Sequence, residues 1–233
     1  MTAEHDKFVK SSMHKLMLKE HQVNQEKMIE LLRGFQVNNY LDIGCADGEF
    51  TLHCANTTSA KYIYGIEIDK GLARAAESKG IQVTIADAGH LFDYPDRFFN
   101  LITANQILEH VVNTDIMISE CYRVLSDDGA LLISVPNLCS FFQRMLVLAG
   151  NQPTTLHVSE IQVGNFLKGV QTGIGHVHAF SVGAVVDLLK YHKFKIDAHF
   201  GSGFYPLPWQ LSGFAARMFP NLAVYTTIKA GKI

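Results

Sequence analysis

The chain has 233 residues, 48% of them hydrophobic and 18% charged, which is ample for a well-filled core, and its formal net charge of −2 argues against a strongly basic nucleic-acid surface. Four cysteines (Cys45, Cys54, Cys121, Cys139) show neither CxxC spacing nor the density of a disulfide scaffold, so reduced thiols are expected. No run of 18 apolar residues occurs and the N-terminal residues lack an apolar signal region, so the expectation is a cytoplasmic protein without a membrane span.

Residues 7–34 read as helical, with Leu16, Met17, Val23, Met28, Ile29, Leu31 and Leu32 at roughly helical spacing and Gly34 as a stop. The rhythm then changes. Short apolar runs at 39–44, 61–69, 81–87, 97–105 and 129–137 read as strands, and the stretches 49–56, 71–80 and 115–125 between them read as helices. Residues 138–150 look helical, and 150–178 is a polar, glycine-containing stretch with His157, His176 and His178, of a length more usual for a lid or substrate loop than for filler. Ser181 is a good N-cap for a helix over 181–192, and strands follow at 194–204 and 222–231.

Short apolar runs alternating with helices imply β-α-β units, and right-handed crossovers then place helices on both faces of a parallel sheet. The expected architecture is a doubly wound α/β fold. It is read as one domain: an N-terminal helical cap (1–36), a core (37–137), an insertion (138–180), and a final helix with its strands (181–233).

The turn after the first strand, Asp42-Ile-Gly44-Cys45-Ala46-Asp47-Gly48, is where an open α/β sheet receives ligands, and its glycines permit close backbone approach. A tight strand-to-helix turn alone would account for Gly44 and Gly48. Glu67 and Asp87, however, end the second and third strands on the same edge, and a carboxylate at such a position can accept hydrogen bonds from ribose hydroxyls. A nicotinamide cofactor normally needs G-x-G-x-x-G so that its pyrophosphate meets a helix N-terminus. Here Glu49 stands at the third glycine position, and a carboxylate repels a diphosphate. A nucleoside without phosphate fits better.

These motifs resemble the class I S-adenosylmethionine-dependent methyltransferases over residues 37–231. "LDIGCADG" is similar to the family's first motif, with Asp42, Gly44 and Gly48 in place and Ala46 for the middle glycine. The resemblance implies that this turn, Cys45 included, contacts the methionine part of S-adenosyl-L-methionine. "YGIEID" resembles the second motif, with Glu67 on the ribose and Ile68 beside it; "ADAGHL" resembles the third, with Asp87 near the adenine amino group and Ala88 beside it. "FNLITANQILEHV" with "ECYRVLSDDGALLISVPN" is similar to the fourth motif and its sequel, bringing Asn105 and Gln106 to the cofactor. The family further implies a Rossmann-like sheet of seven strands in the order 3-2-1-4-5-7-6, the last antiparallel.

A methyl group on a sulfonium is already activated, so in-line positioning supplies much of the catalysis and a base is needed only where the acceptor must lose a proton. His110 and His178 are the candidates for that role, weighed against purely structural ones. Some methyltransferases of this fold bind a divalent ion through Glu-x-x-Glu-His and a later His. Gln106, Glu109, His110 and His178 align with that pattern, but Gln replaces a carboxylate, so no metal is assigned. The acceptor is expected to be a small molecule or a lipid- or sugar-linked intermediate, with no nucleic acid. Residues 203–220, apolar and interrupted by three prolines, read as a packing segment, with a homodimer contact or an acceptor wall as alternatives. Two other functions compete: a catalytically silent cofactor-binding subunit and, less well supported by the glycine register, an NAD-dependent oxidoreductase.

Overall fold

The computed structural model describes residues 18–156, 158–159, 163–164 and 175–233; the expected helix over 7–17 and His157 lie outside them. Helix α1 covers the described residues 18–31. Then follow β1 (Asn39–Ile43), α2 (Glu49–Thr58), β2 (Tyr62–Glu67), α3 (Lys70–Ser78), β3 (Gln82–Ile85), β4 (Phe99–Asn105), α4 (Thr114–Val124), β5 (Leu125–Pro136), α5 (Phe141–Leu148), α6 (Val182–Tyr191), β6 (Phe194–Ser202), α7 (Trp209–Met218) and β7 (Tyr225–Lys232). The strands form one seven-stranded sheet in the order β3-β2-β1-β4-β5-β7-β6. Pairing is parallel from β3 to β5, while β7 runs antiparallel to both β5 and β6, as the resemblance implies.

Alternation along the central strands sends side chains into two cores. Leu41, Ile43, Ile102, Leu131 and Ile133 meet Met117 and Cys121 of α4 and Val185 of α6 on one face. Tyr40, Leu101 and Leu132 meet Cys54 of α2 and Met28 and Leu32 of α1 on the other. Toward the carboxyl ends of the strands this second face becomes polar: Asp42, Thr103 and Ser134 are all buried there.

Helix α1 matches that change in character. Glu20, Asn24, Met28 and Leu32 are all buried, each four residues from the next, so they form one row along the helix. The apolar half of the row lies over the apolar half of the sheet. Asn24 then donates to Asn105 Oδ1 (3.1 Å) and Ser134 Oγ (3.0 Å) and accepts from Ser202 Oγ (2.7 Å), while Glu20 accepts from Ser212 Oγ of α7 (3.0 Å). The sequence pattern marks the apolar members of this helix but not the polar half of its docking face.

Helix α7 is a second departure from expectation. Pro206 and Pro208 precede it and Pro220 follows it, so the prolines bracket a helix in a segment for which none was expected. It buries Ser212, Ala215 and Ala216 and leaves Leu211, Phe214 and Met218 exposed. Among the described residues no helix is long and apolar enough to cross a membrane. Because Asn24 joins α1 to β4, β5 and β6 at once, Asn24→Ala should lower unfolding free energy by about 1–3 kcal/mol, measured by urea denaturation, through the partners it leaves unsatisfied.

Candidate functional site

The turn after β1 is held from below and from one side. Below it, the buried Asp42 carboxylate accepts from Thr51 Oγ1 of α2 and from Thr103 Oγ1 of β4, both at 2.6 Å, and Tyr40 Oη lies 2.6 Å from the same Thr103 hydroxyl. From the side, Glu67 Oε2 accepts the Ala46 backbone N–H (2.9 Å), while its other oxygen accepts that of Asp69 (2.9 Å). The backbone N–H groups of Gly44 and Cys45 both reach Ile66 O, at 2.8 and 3.2 Å. Gly44, Ala46 and Gly48 all have positive φ (73°, 47° and 84°). Ala46 therefore occupies a left-handed conformation that disfavours a side chain, and the Glu67 carboxylate fixes it there.

Two cavities open on either side of Gly44. The larger, about 420 Å³, has walls from Asp42, the Gly44–Asp47 turn, Glu49, Asn105 and Gln106, and from His21 and Gln25 of α1. The smaller, about 100 Å³, is enclosed by Glu67, Ile68, Asp87, Ala88 and His110. Every residue that the sequence singled out for the cofactor, apart from Gly48, thus stands on one of these walls. Gly48 lies off them. A Cβ there would come within 2.5 Å of Ile81 and 3.2 Å of Ala76, so this glycine serves the packing of α2 against α3. Asp42 lines the larger cavity, but both of its oxygens are committed to threonines.

Asp42, Asp47 and Glu49 border the larger space together with His21 and His53, and Lys79 pairs with Asp47 at 3.0 Å. Burial raises the Asp42 carboxyl to about 6, against the opposing hydrogen bonds of Thr103 and Thr51, and the charge of Glu67 adds to the rise. Burial likewise pushes the Cys45 thiol up to about 12, which removes it as a nucleophile at neutral pH.

On the far side of β4, the single 3-10 turn Leu108–His110 carries Glu109 and His110. Here the structure departs from the expected pairing of histidines. His176, rather than His178, joins Glu109 and His110: its Nε2 lies 4.0 Å from Glu109 Oε1, and its ring sits 4.8 Å from that of His110. The ligand atoms of Glu109, His110 and His176 lie within 4.8 Å of one another. His178 instead points Nε2 at Val112 O (3.2 Å), while its backbone N–H and that of Val177 donate to Glu109 O, so these contacts tie residues 177–178 to the turn. Gln106 remains at the end of β4, where its backbone and side chain bond Ser134. Sequence reasoning missed His21, Gln25 and Glu20, which sit on a helix whose apolar pattern drew attention to other positions; it noted His176 in the 150–178 stretch but paired His178 with Glu109 and His110.

Two outcomes follow for the turn. The folded pKa of Asp42 is raised, so its protonated form stabilises the protein fully below the unfolded carboxyl pKa, and that contribution is lost as pH rises through about 6. The stability of wild type relative to Asp42→Asn should therefore fall between pH 4 and pH 7, by on the order of 2–3 kcal/mol in urea titrations. Ala46→Gly should raise unfolding free energy by about 0.5–1 kcal/mol, since it relieves a left-handed alanine at some entropic cost.

Comparison with known proteins agrees with this geometry. A methyltransferase domain model matches residues 41–133. An uncharacterized protein of Methanocaldococcus jannaschii is 32% identical over 127 residues, 54% of this chain and 58% of that one. A Mycolicibacterium smegmatis protein named a probable S-adenosylmethionine-dependent methyltransferase is 27% identical over 52% of this chain and 46% of its own length. The chain thus spans about half the length of the curated relatives it matches. An S-adenosylmethionine-dependent methyltransferase structure from Thermotoga maritima superposes with TM-score 0.63 at 16% identity, covering 98% of this chain and 97% of that one, and one from Aquifex aeolicus with 0.59 at 12%, covering 95% and 97%. The matched methyltransferase domain thus reaches from β1 to β5, and the chain shares its fold with solved S-adenosylmethionine-dependent methyltransferases.

Proposed function

We propose that the protein transfers a methyl group from S-adenosylmethionine to a small-molecule or lipid- or sugar-linked acceptor by in-line displacement. The observation that carries this reading is the pair of cavities joined at Gly44, with the Glu67 carboxylate on one wall and a phosphate-repelling acidic wall on the other. The donor set fits the cofactor. Glu67 spends one hydrogen bond per oxygen on the backbone and keeps lone pairs for ribose hydroxyls. Asp47 and Glu49 border the space where the cationic methionine part would lie. When bound, S-adenosylmethionine supplies a methyl group already activated on a sulfonium.

The chain's own residues then act by placement. Gly44, Cys45 and Ala46 shape the floor between the two cavities, and Asp87, Ala88 and Ile68 line the end for the base. Asn105 and Gln106 close the cavity beside α1. Such fixing of the reactants in line is worth on the order of 7–11 kcal/mol in favourable cases. Among the histidines, His110 is better supported as a proton acceptor than His178 because it borders the smaller cavity and keeps Nε2 while Nδ1 meets Gly175 O, whereas His178 lines neither cavity. The acidic wall disfavours a dinucleotide, as the glycine register already did.

Calorimetry with S-adenosylhomocysteine and, separately, NAD tests the reading: binding of the first alone is expected, and binding of NAD alone would overturn it. Glu67→Ala should weaken S-adenosylhomocysteine binding at least tenfold, through loss of charge-assisted hydrogen bonds of about 1.5–3 kcal/mol. An unchanged affinity would remove Glu67 from the ribose site.

A further inference from the structure

Among the described residues, five buried side-chain polar atoms lack a hydrogen-bond partner: Glu20 Oε2, Glu109 Oε2, Thr155 Oγ1, Tyr205 Oη and Ser126 Oγ. Native structures keep such atoms few, because an unpaired buried polar group costs about 1–3 kcal/mol and a charged one more. Here four of the five fall in one neighbourhood. Thr155 and Glu109 meet at His176, whose Nδ1 lies 2.9 Å from Thr155 O and whose Nε2 lies 4.0 Å from the Glu109 carboxylate. Glu20 and Tyr205 meet at the start of α7, where Ser212 Oγ donates to Glu20 Oε1 and Phe204 N donates to that same hydroxyl. Tyr225 is felt by both halves: burial raises its pKa, and the charges of Glu20 and Glu109 add to the rise.

The cluster adjoins the proposed cofactor space on two sides. His110 borders the smaller cavity and stacks edge-on against His176. His21 borders the larger one and lies edge-on to Tyr225 at 6.2 Å. A ligand held by these oxygens would therefore sit next to the methyl donor.

We propose that Glu20, Glu109, Tyr205 and Tyr225 form the acceptor site and that it takes a cationic nitrogen, so that the methyl acceptor is an amine-bearing small molecule. This deepens the methyltransferase reading and rests on it. Two arguments select the charge. Glu20 and Glu109, each at most 2% exposed, each have a carboxyl oxygen with no hydrogen-bond partner among the described residues, which excludes an acceptor that presents a carboxylate or phosphate at this point. Three unpartnered acceptor-capable oxygens of the site, Glu20 Oε2, Glu109 Oε2 and Tyr205 Oη, match the several N–H donors of an ammonium better than they match one alcohol.

The transfer balances with these groups. The bound ammonium gives one proton to a carboxylate of the pair, and the freed lone pair forms the nitrogen–carbon bond to the methyl group. The carbon–sulfur bond of S-adenosylmethionine breaks with its electron pair left on sulfur.

Thermal unfolding, with and without saturating S-adenosylhomocysteine, tests the site using methylammonium chloride as probe, against sodium chloride at equal ionic strength and methanol as the neutral control. At about ten times its dissociation constant, methylammonium should raise the midpoint by roughly 3 °C, and the controls should not. Glu109→Gln and Glu20→Gln should each reduce that shift at least fivefold while S-adenosylhomocysteine affinity stays within twofold. Should either Gln variant fail to fold, Tyr205→Phe, which removes only a hydroxyl, should weaken the response by at least twofold. A shift equal to that of sodium chloride, or one unchanged in the variants, would overturn the proposal. So would a response to micromolar Zn²⁺ or Mn²⁺ in place of methylammonium, abolished by His176→Ala, which would assign a metal centre to Glu109, His110 and His176. Failure of S-adenosylhomocysteine to bind wild type would count against the methyltransferase reading itself, and the methylammonium shift read without it still decides this one.

Discussion

A single buried carboxylate fixes the geometry on which the cleft depends. Asp42 is the last polar residue of β1 before the turn, and it ties α2 through Thr51 to β4 through Thr103. Without those two hydroxyl donors a charge so deep would be expensive to keep, and with them its pKa is still well above the ordinary aspartate range. The arrangement trades some stability near neutral pH for a rigid junction of strand, turn and helix. The left-handed Gly44 and Ala46 can then be held by neighbours, chiefly Ile66 O and Glu67, instead of by their own preferences.

The same face of the sheet explains the placement of α1. Its buried row changes from leucine and methionine to asparagine and glutamate just where the strands beneath change from Leu101 and Leu132 to Thr103 and Ser134. Polar docking of this kind is directional. An apolar face would tolerate sliding along the sheet, whereas the hydrogen bonds of Asn24 to Asn105, Ser134 and Ser202 fix its position. His21 and Gln25 are thereby set on the cleft wall.

Much of this was legible from residues alone. Parallel central strands are buried on both faces, so their apolar runs stand out, and the acidic ends Glu67 and Asp87 interrupt them where a ligand edge is expected. Strand order followed from the resemblance to a known family, not from the residues themselves. What escaped notice has physical reasons. Glu20 and Asn24 look like solvated helix positions until the polar half of the sheet is known to lie beneath them. Residues 203–220 read as a packing segment with no helix assigned, because prolines count as breakers wherever they stand, although here they sit outside the helix ends. The choice between His176 and His178 depends on which of two alternating side chains faces the 3-10 turn, and no local pattern encodes that. Gly48 was assigned to a ligand on spacing that close packing against Ile81 and Ala76 explains as well.

The docking of α1 has a thermodynamic corollary. Part of the larger cleft's wall belongs to a helix that joins the sheet by apolar packing at one end and by side-chain hydrogen bonds at the other, so any molecule filling the cleft binds only the docked population. Its apparent affinity is scaled by that fraction, and occupancy must in return strengthen the helix's attachment by the same free energy. The N-terminal helix and the ligand are in this sense reciprocal effectors, and the amide protons of residues 18–31 would register the contents of a cavity formed mostly by other parts of the chain.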